Sequence, residues 1–206
     1  MKQSERQERS RREILRAATE EFGTHNYEDV TIDSICSLHG ISKGMMYHYY
    51  SGKDELFLLC AGEMFQALRE YMEEAMSSFP DQGGLEAIRS LFGMRESYFG
   101  TRPLEKNIFE NALFRTPKHL SAQIDALRLP LRELNRELFH RAVSHMELRE
   151  PLSAENASRY LEAIESLFWP LVRQYQKTDG IGDLHSLEEA STALLDMVLF
   201  GVLREK

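Results

Sequence analysis

Apolar residues recur every third or fourth position along nearly the whole chain, the spacing of one buried face of an α-helix. Ile14, Leu15, Ala18 and Phe22 form such a stripe within residues 5–23, the first predicted helix. Ile32, Ile35 and Leu38 form a second, shorter one, opened by Thr31 as N-cap and closed by Gly40. Ser42 caps a third helix two residues later. Leu56, Cys60, Met64, Leu68, Met72 and Met76 then repeat every four residues to about Phe79, with Ser51 as the predicted cap and residues 77–84 (SSFPDQGG) as the stop. Further helices are predicted over 85–99, 103–114, 118–146, 154–177 and 187–203. Breaks fall at Thr101-Arg102-Pro103, Arg115-Thr116-Pro117, Glu150-Pro151-Leu152-Ser153 and Thr178-Asp179-Gly180-Ile181-Gly182. Pro130 and Pro170 predict kinks inside two of these helices. No run alternates with the period of a strand, and no repeat or low-complexity tract occurs. The expected fold is all-α with about nine helices, in two parts. Residues 1–55 make an N-terminal three-helix domain and 56–206 a C-terminal helical domain, bridged by the long fourth helix.

The two-residue link between the second and third helices forces a steep crossing. The N-terminal end of the third helix then projects as it does in a helix-turn-helix that enters a major groove. Lys43, Gly44, Met45, Tyr47 and His48 stand there. Together with Ile14, Leu15, Ala17, Ala18 and Phe22, Tyr27 and Thr31, Gly40-Ile41-Ser42-Lys43-Gly44, Tyr50, Lys53, Glu55 and Leu56, they form one register from about Arg12 to Leu56 that strongly resembles the TetR family of bacterial transcriptional regulators. The resemblance implies an all-helical homodimer whose N-terminal domain binds double-stranded DNA and whose variable C-terminal domain holds a small ligand that controls DNA affinity.

The expected DNA-facing set is Thr31, Ser42, Lys43, Gly44, Met45, Tyr47, His48 and Lys53. Lys43 adds its charge to the helix N-terminal dipole, so it suits a phosphate or a guanine edge. Gly44 permits close backbone approach. Tyr47 offers a phenolic donor and looks like the family's phosphate-binding tyrosine. His48 donates to phosphate in either tautomer, and Lys53 is expected to reach a phosphate across the groove. Met45 offers only apolar contact, such as a thymine methyl. Met46, Tyr49 and Tyr50 read as core.

Net charge changes the picture only when it is divided. The chain carries 25 Lys+Arg and 33 Asp+Glu, a formal charge of −8, with a pI near 5.4. Residues 1–53 hold eight of each sign, so the whole acidic excess lies beyond them. Residues 1–16 hold six bases against three acids, a local footprint for phosphate. This basic N-terminus reads either as a solvated segment or as an arm lying along DNA. With 206 residues, 42% hydrophobic and 28% charged, the chain has the composition of a globular protein with a sizeable core. No apolar run suits a signal peptide or a membrane span, and the expected location is the cytoplasm. Cys36 and Cys60 fall on apolar helix positions, so a structural disulfide is not expected there. A redox-sensing thiol is the minor alternative.

The C-terminal half carries less chemistry. Phe65, Phe92, Phe109, Asn111, Asn135 and Trp169 are the candidate pocket lining, the aromatics as walls and the buried amides as groups that a ligand could satisfy. Such residues serve equally as plain core. The acidic bias points to a cationic or neutral ligand, and surface acids account for it equally well. Residues 193–203 (ALLDMVLFGVL) are apolar around nearly the whole helix, and 154–177 shows a stripe wider than one core face. Leu161, Ile164, Phe168, Leu171, Leu194, Val198 and Val202 are therefore the candidate dimer interface. A two-fold dimer sets its recognition helices roughly 34–36 Å apart and predicts a palindromic operator.

Enzymatic signatures fail. Seven residues rather than four separate Gly44 from Gly52-Lys53, and no strand precedes them, so this is no phosphate loop. His119, His140, His145 and His185 lack metal-ligand spacing, and HExxH and GxSxG are missing from the sequence. No catalytic residue, metal or cofactor is expected. The reading is a regulator of the repressor kind, released from its operator by a ligand. The alternative is a non-inducible DNA-binding or protein-interaction module on the same fold. Operator, ligand, target genes and the choice between repressor and activator stay open at this point.

Overall fold

The computed structural model describes residues 3–77, 94–95, 97–144, 148, 150–157, 159–160, 189 and 197. Within them every long element is a helix, as the apolar periodicity predicts. Helix α1 spans Gln3–Thr24, α2 Ile32–Leu38, α3 Lys43–Tyr49 and α4 Lys53–Ser77. Helical residues 97–100 then lead into α5, Pro103–Phe114, and α6, Ser121–Ser144. Single 3-10 turns at Tyr27–Asp29 and Lys118–Leu120 precede α2 and α6. The helix predicted from residue 118 therefore begins with a tighter turn. From Gln3 onward the basic N-terminal stretch forms the first turns of α1. Residues 154–157 and 159–160 are helical, at the start of the predicted 154–177 helix.

Local chemistry explains the boundaries of the helix-turn-helix. Thr31 Oγ1 accepts the Ser34 backbone N–H at 3.0 Å, while Ser34 Oγ accepts the Thr31 N–H at 3.2 Å. This reciprocal capping box satisfies two donors at the start of α2. At its other end Gly40 takes φ +67°, a left-handed conformation that a side chain disfavours. The Ile41 N–H then closes back on Cys36 O at 2.8 Å. Ser42 Oγ accepts from Met45 N at 3.1 Å and starts α3. Ser51 departs from its expected role. Its N–H and hydroxyl both donate to Glu55 Oε2, at 2.6 and 2.8 Å, so the acid in the first turn of α4 reaches back to hold the chain before the helix.

Helix α4 is the spine. Leu56, Cys60, Met64, Leu68 and Met72 are buried as the four-residue repeat requires, and Phe57, Ala61 and Phe65 beside them are buried too. Two adjacent stripes are needed because α4 packs on α1 on one side and on α5 and α6 on the other. Ile14, Ala17, Ala18 and Phe22 of α1 complete a core that runs without interruption into Ile108, Phe109, Leu113, Ile124 and Leu131. Helix α5 is buried from Ile108 through Phe114, on every face, and is the innermost element. Helix α6 continues through Pro130. Leu38, expected on the buried stripe of α2, is 69% exposed instead, and Ile35 and Cys36 fill that place.

At Gly23 the helices α1 and α5 approach more closely than any side chain permits. A Cβ built there lies 2.7 Å from Leu104 Cβ and 2.9 Å from Leu104 Cα. Glycine is therefore the residue that lets the end of α1 seat against the start of α5.

Candidate nucleic-acid interface

Helix α3 presents most of its expected DNA-facing residues to solvent. Ser42, Lys43, Gly44, Tyr47 and His48 are exposed, with Tyr47 at 58%. Thr31 is exposed at the start of α2. Although Thr31 and Ser42 use an oxygen lone pair as a cap, each hydroxyl keeps its own O–H for a phosphate. Met45 is half-buried and packs on the core, so only part of its thioether side chain is open to a base. Met46 is fully buried, and Tyr49 and Tyr50 are partly so, in agreement with their reading as core. Tyr50 OH donates to Arg11 O at 3.2 Å, and the Arg11 guanidinium lies 5.6 Å from the Tyr49 ring centre. These contacts seat the C-terminal end of α3 on α1. The His48 ring stacks edgewise on Tyr49 at 4.7 Å.

Two cations differ in their readiness for phosphate. Lys43 is exposed but ion-paired with Asp33 of α2, and that hydrogen bond with its attendant charge attraction raises the lysine pKa. Lys53 is turned inward. Its Nζ donates to Tyr27 O at 2.7 Å and Val30 O at 2.8 Å, and lies 4.1 Å from the Tyr27 ring centre. Two of its three donors thus tie the 3-10 turn to α4. A phosphate meets its charge and one further donor.

A polar junction joins this unit to the rest of the molecule. Asn111 of α5, fully buried, donates through Nδ2 to Phe22 O at 3.1 Å and His25 O at 2.9 Å, and its Oδ1 accepts from Tyr27 N at 3.3 Å. Asn107 Nδ2 donates to the same two carbonyls, at 2.9 and 3.0 Å. The asparagines of α5 therefore satisfy the carbonyls left open at the end of α1. Tyr27 OH donates to Asp54 of α4, whose other oxygen lies 2.8 Å from His119 Nε2. The tyrosine hydrogen bond, aided by His119, holds the Asp54 carboxyl below its usual pKa against the opposing effect of burial. Burial and that same acid push the Tyr27 phenol up.

Among the residues expected to line a pocket, Phe109 and Asn135 border a cavity of about 10 Å³ together with Arg95, Leu113, Arg128, Leu131 and Arg132. Phe65 packs on Phe109 with ring centres 6.1 Å apart and lies outside that lining. Asn111 takes a different place from the one expected, because its amide is satisfied by backbone of the DNA-facing domain rather than left for a ligand. Phe92 and Trp169 fall outside the described residues. So do all seven candidate interface positions, Leu161, Ile164, Phe168, Leu171, Leu194, Val198 and Val202. Among the described residues the lining includes three arginines, although residues 54–206 as a whole are acidic.

Residues 14–60 match the profile of the bacterial regulatory proteins of the tetR family. The chain is 26% identical over 192 residues to the HTH-type transcriptional repressor AcnR of Corynebacterium glutamicum, covering 91% of this chain and 94% of AcnR. Its fold is similar to that of a TetR-family regulator from Agrobacterium tumefaciens (TM-score 0.64, 15% identity, 94% of this chain and 99% of that one). It is likewise similar to FadR of Bacillus subtilis, solved with stearoyl-CoA (TM-score 0.61, 16% identity, 93% and 98% coverage). Over residues 14–60 this chain is similar to the TetR family. The proteins it resembles are named as transcriptional regulators. No helix among its described residues is long and apolar enough to cross a membrane.

Two further features follow from packing and pairing. Cys60 is buried against Thr19, and burial pushes its thiol to about 12, which keeps it protonated and unreactive. Cys36 is also buried and its thiol is raised. Asp33 is the second feature, because it pairs with Lys43, a residue expected to face DNA. Asp33→Asn is expected to tighten DNA binding by about threefold to tenfold, most at low salt, since it frees the lysine and removes a negative charge from the DNA-facing surface. Equal affinities of mutant and wild type in a titration at low salt would show that Asp33 exerts no restraint.

Proposed function

We propose that the chain is a homodimeric repressor that binds a palindromic operator in the cytoplasm and leaves it when a small molecule enters the C-terminal domain. Residues 1–55 act as the reader and 56–206 as receiver and dimerisation part. In this reading Lys43, Tyr47 and His48 hold phosphates or base edges, and Thr31, Ser42 and Lys53 fix the register through phosphate. Gly44 admits the backbone, and Met45 makes apolar contact. The dimer forms through the helices that carry Leu161, Ile164, Phe168, Leu171, Leu194, Val198 and Val202. Phe109 and Asn135 belong to the ligand site, and Phe65, Phe92 and Trp169 stand as its further aromatic candidates.

The observation that carries the proposal is the direct hydrogen bonding of α5 to the backbone just before the helix-turn-helix. A helix whose Phe109 and Leu113 border the cavity also holds, through Asn107 and Asn111, the carbonyls of Phe22 and His25. Displacement of α5 by a ligand would move that backbone and Tyr27, and with them the seat of α2 and α3. The similar FadR of Bacillus subtilis was solved with stearoyl-CoA, which lends support to small-molecule control.

The test is selection of a site from randomised duplex DNA, followed by titration of the winner. Enrichment of a palindrome bound by two chains is the expected result. A folded protein that enriches no sequence at low or moderate salt would exclude sequence-specific regulation and favour the interaction-module alternative.

A further inference from the structure

His39 closes α2 and stands immediately before Gly40, the left-handed residue on which the chain turns towards α3. Its side chain is 13% exposed and meets α1. Nδ1 lies 3.6 Å from Glu20 Oε2 and Nε2 lies 4.0 Å from Glu21 Oε1, so each ring nitrogen faces a carboxylate. A neutral imidazole has one N–H and one lone pair, and here the lone pair would face an anion. Only the imidazolium presents a donor and a positive charge to both sides. The two acids differ. Glu20 is half-exposed and gives its other oxygen to Arg16 at 2.6 Å. The Glu21 side chain is only 8% exposed, and its ion-pair partner among the described residues is His39. A carboxylate so deeply placed is costly without a cation beside it. Other charged groups around this elbow are engaged differently. Asp33 of α2 pairs with Lys43 of α3, and the His25 ring meets the Thr24 hydroxyl and the Glu21 backbone carbonyl rather than the Glu21 carboxylate.

We propose that His39 is a positioning residue that works as a proton-operated brace: as imidazolium it fastens the elbow of the helix-turn-helix to Glu20 and Glu21 of α1, and as neutral imidazole it lets go. Histidine ordinarily exchanges that proton between about pH 5 and pH 8. The brace therefore contributes on the acid side of this interval and is lost as pH rises and the proton leaves. Expected DNA-facing residues lie on both sides of the elbow, Thr31 before it and Ser42 to His48 after it. Release of the brace loosens their common seat and lowers operator affinity. That consequence rests on the proposed binding of DNA; the brace itself does not.

The full-length wild type, His39→Gln, Glu21→Gln and the double variant are melted at about pH 5.5 and at about pH 8. Glutamine at position 39 keeps a neutral donor and does not titrate. Glu21→Gln is expected to melt below wild type at the acid pH and at or above it at the alkaline one, where the buried carboxylate has lost its cation. Coupling between positions 39 and 21 is expected at the acid pH and should vanish at the alkaline one. A pair that only fills space gives the same coupling at both. Equal coupling at both pH values, or coupling at neither, overturns the brace. Should Glu21→Gln fail to fold, the same cycle with Glu20→Gln, at a half-exposed position, decides. Should His39→Gln fail, the reversal of the Glu21→Gln effect between the two pH values decides. The selected operator is then titrated under both conditions. From acid to alkaline pH the wild type is expected to lose about twofold to fivefold more affinity than His39→Gln, the range of one partly exposed ion pair. The other histidines are common to both proteins and cancel. Coupling without that difference in affinity overturns the role of the brace in DNA reading. Failure to bind any operator at either pH refutes the reading of DNA and leaves the brace to stand or fall by the melting cycle.

Discussion

Replacing Asn111 with leucine is expected to lower stability by about 2–4 kcal/mol. For a chain of this size that is a fall in melting midpoint of about 4–16 °C. The amide is fully buried and satisfies three backbone groups, the carbonyls of Phe22 and His25 and the N–H of Tyr27. Leucine matches its volume but offers no partner. The two carbonyls keep Asn107, so the largest part of the loss falls on the Tyr27 N–H, left in the core without an acceptor. Asn107→Ala should cost less, about 1 kcal/mol, because Asn111 still serves both carbonyls. The double variant should lose more than the sum of the singles, since only then do the carbonyls lose every side-chain donor. Denaturant unfolding of the three variants checks this pattern. Strict additivity would mean that the two asparagines do not share their acceptors in solution.

Lys43→Ala is expected to reduce affinity for the selected operator at least tenfold and to make the fall of log affinity with log salt shallower by about one contact. The lysine stands in the first turn of α3, exposed, and its ammonium is held by Asp33 at the outer surface of the helix-turn-helix. If DNA binding exchanges that carboxylate for a phosphate, the lysine arrives already oriented towards negative charge. The pair makes a further distinction possible. If Lys43 acts through phosphate, Asp33→Asn strengthens wild-type binding and does much less in the Lys43→Ala background. An alanine variant that binds with unchanged affinity and salt dependence would remove Lys43 from the interface.

The helix-turn-helix was legible because its determinants are local. A cap, a left-handed glycine and a second cap occur within twelve residues of sequence, and Thr31, Gly40 and Ser42 each do in the structure what their residue type predicts. Helix α5 was legible for the same reason, from Pro103 at its first turn to the break after Phe114. Side-chain destinations were less so wherever the partner is distant in the chain. Lys53 reads as a surface cation until the carbonyls of Tyr27 and Val30 are seen beside it. Asn111 reads as an amide awaiting a ligand, because its true acceptors lie more than eighty residues away. The arginine lining is hidden by the same cause, since Arg95 is distant in the chain from Arg128 and Arg132, which stand one turn apart on α6. Leu38 shows the converse limit. Periodicity places it on the stripe with Ile32 and Ile35, but α2 has only seven residues, and its last turn runs past the core it packs on.

The seat of Gly23 on Leu104 bears on how freely such regulators can be recombined. The junction is a mated pair of surfaces: a bare backbone on one side, and a leucine with two asparagines shaped to it on the other. A chimera that transplants residues 1–55 onto a foreign receiver leaves its docking partners behind, because Leu104, Asn107 and Asn111 belong to the receiver. The transplanted head would keep its capped helices yet lose the socket that orients them. A workable exchange cuts elsewhere, so that the first half of α5 travels with the head, or rebuilds those three positions in the recipient.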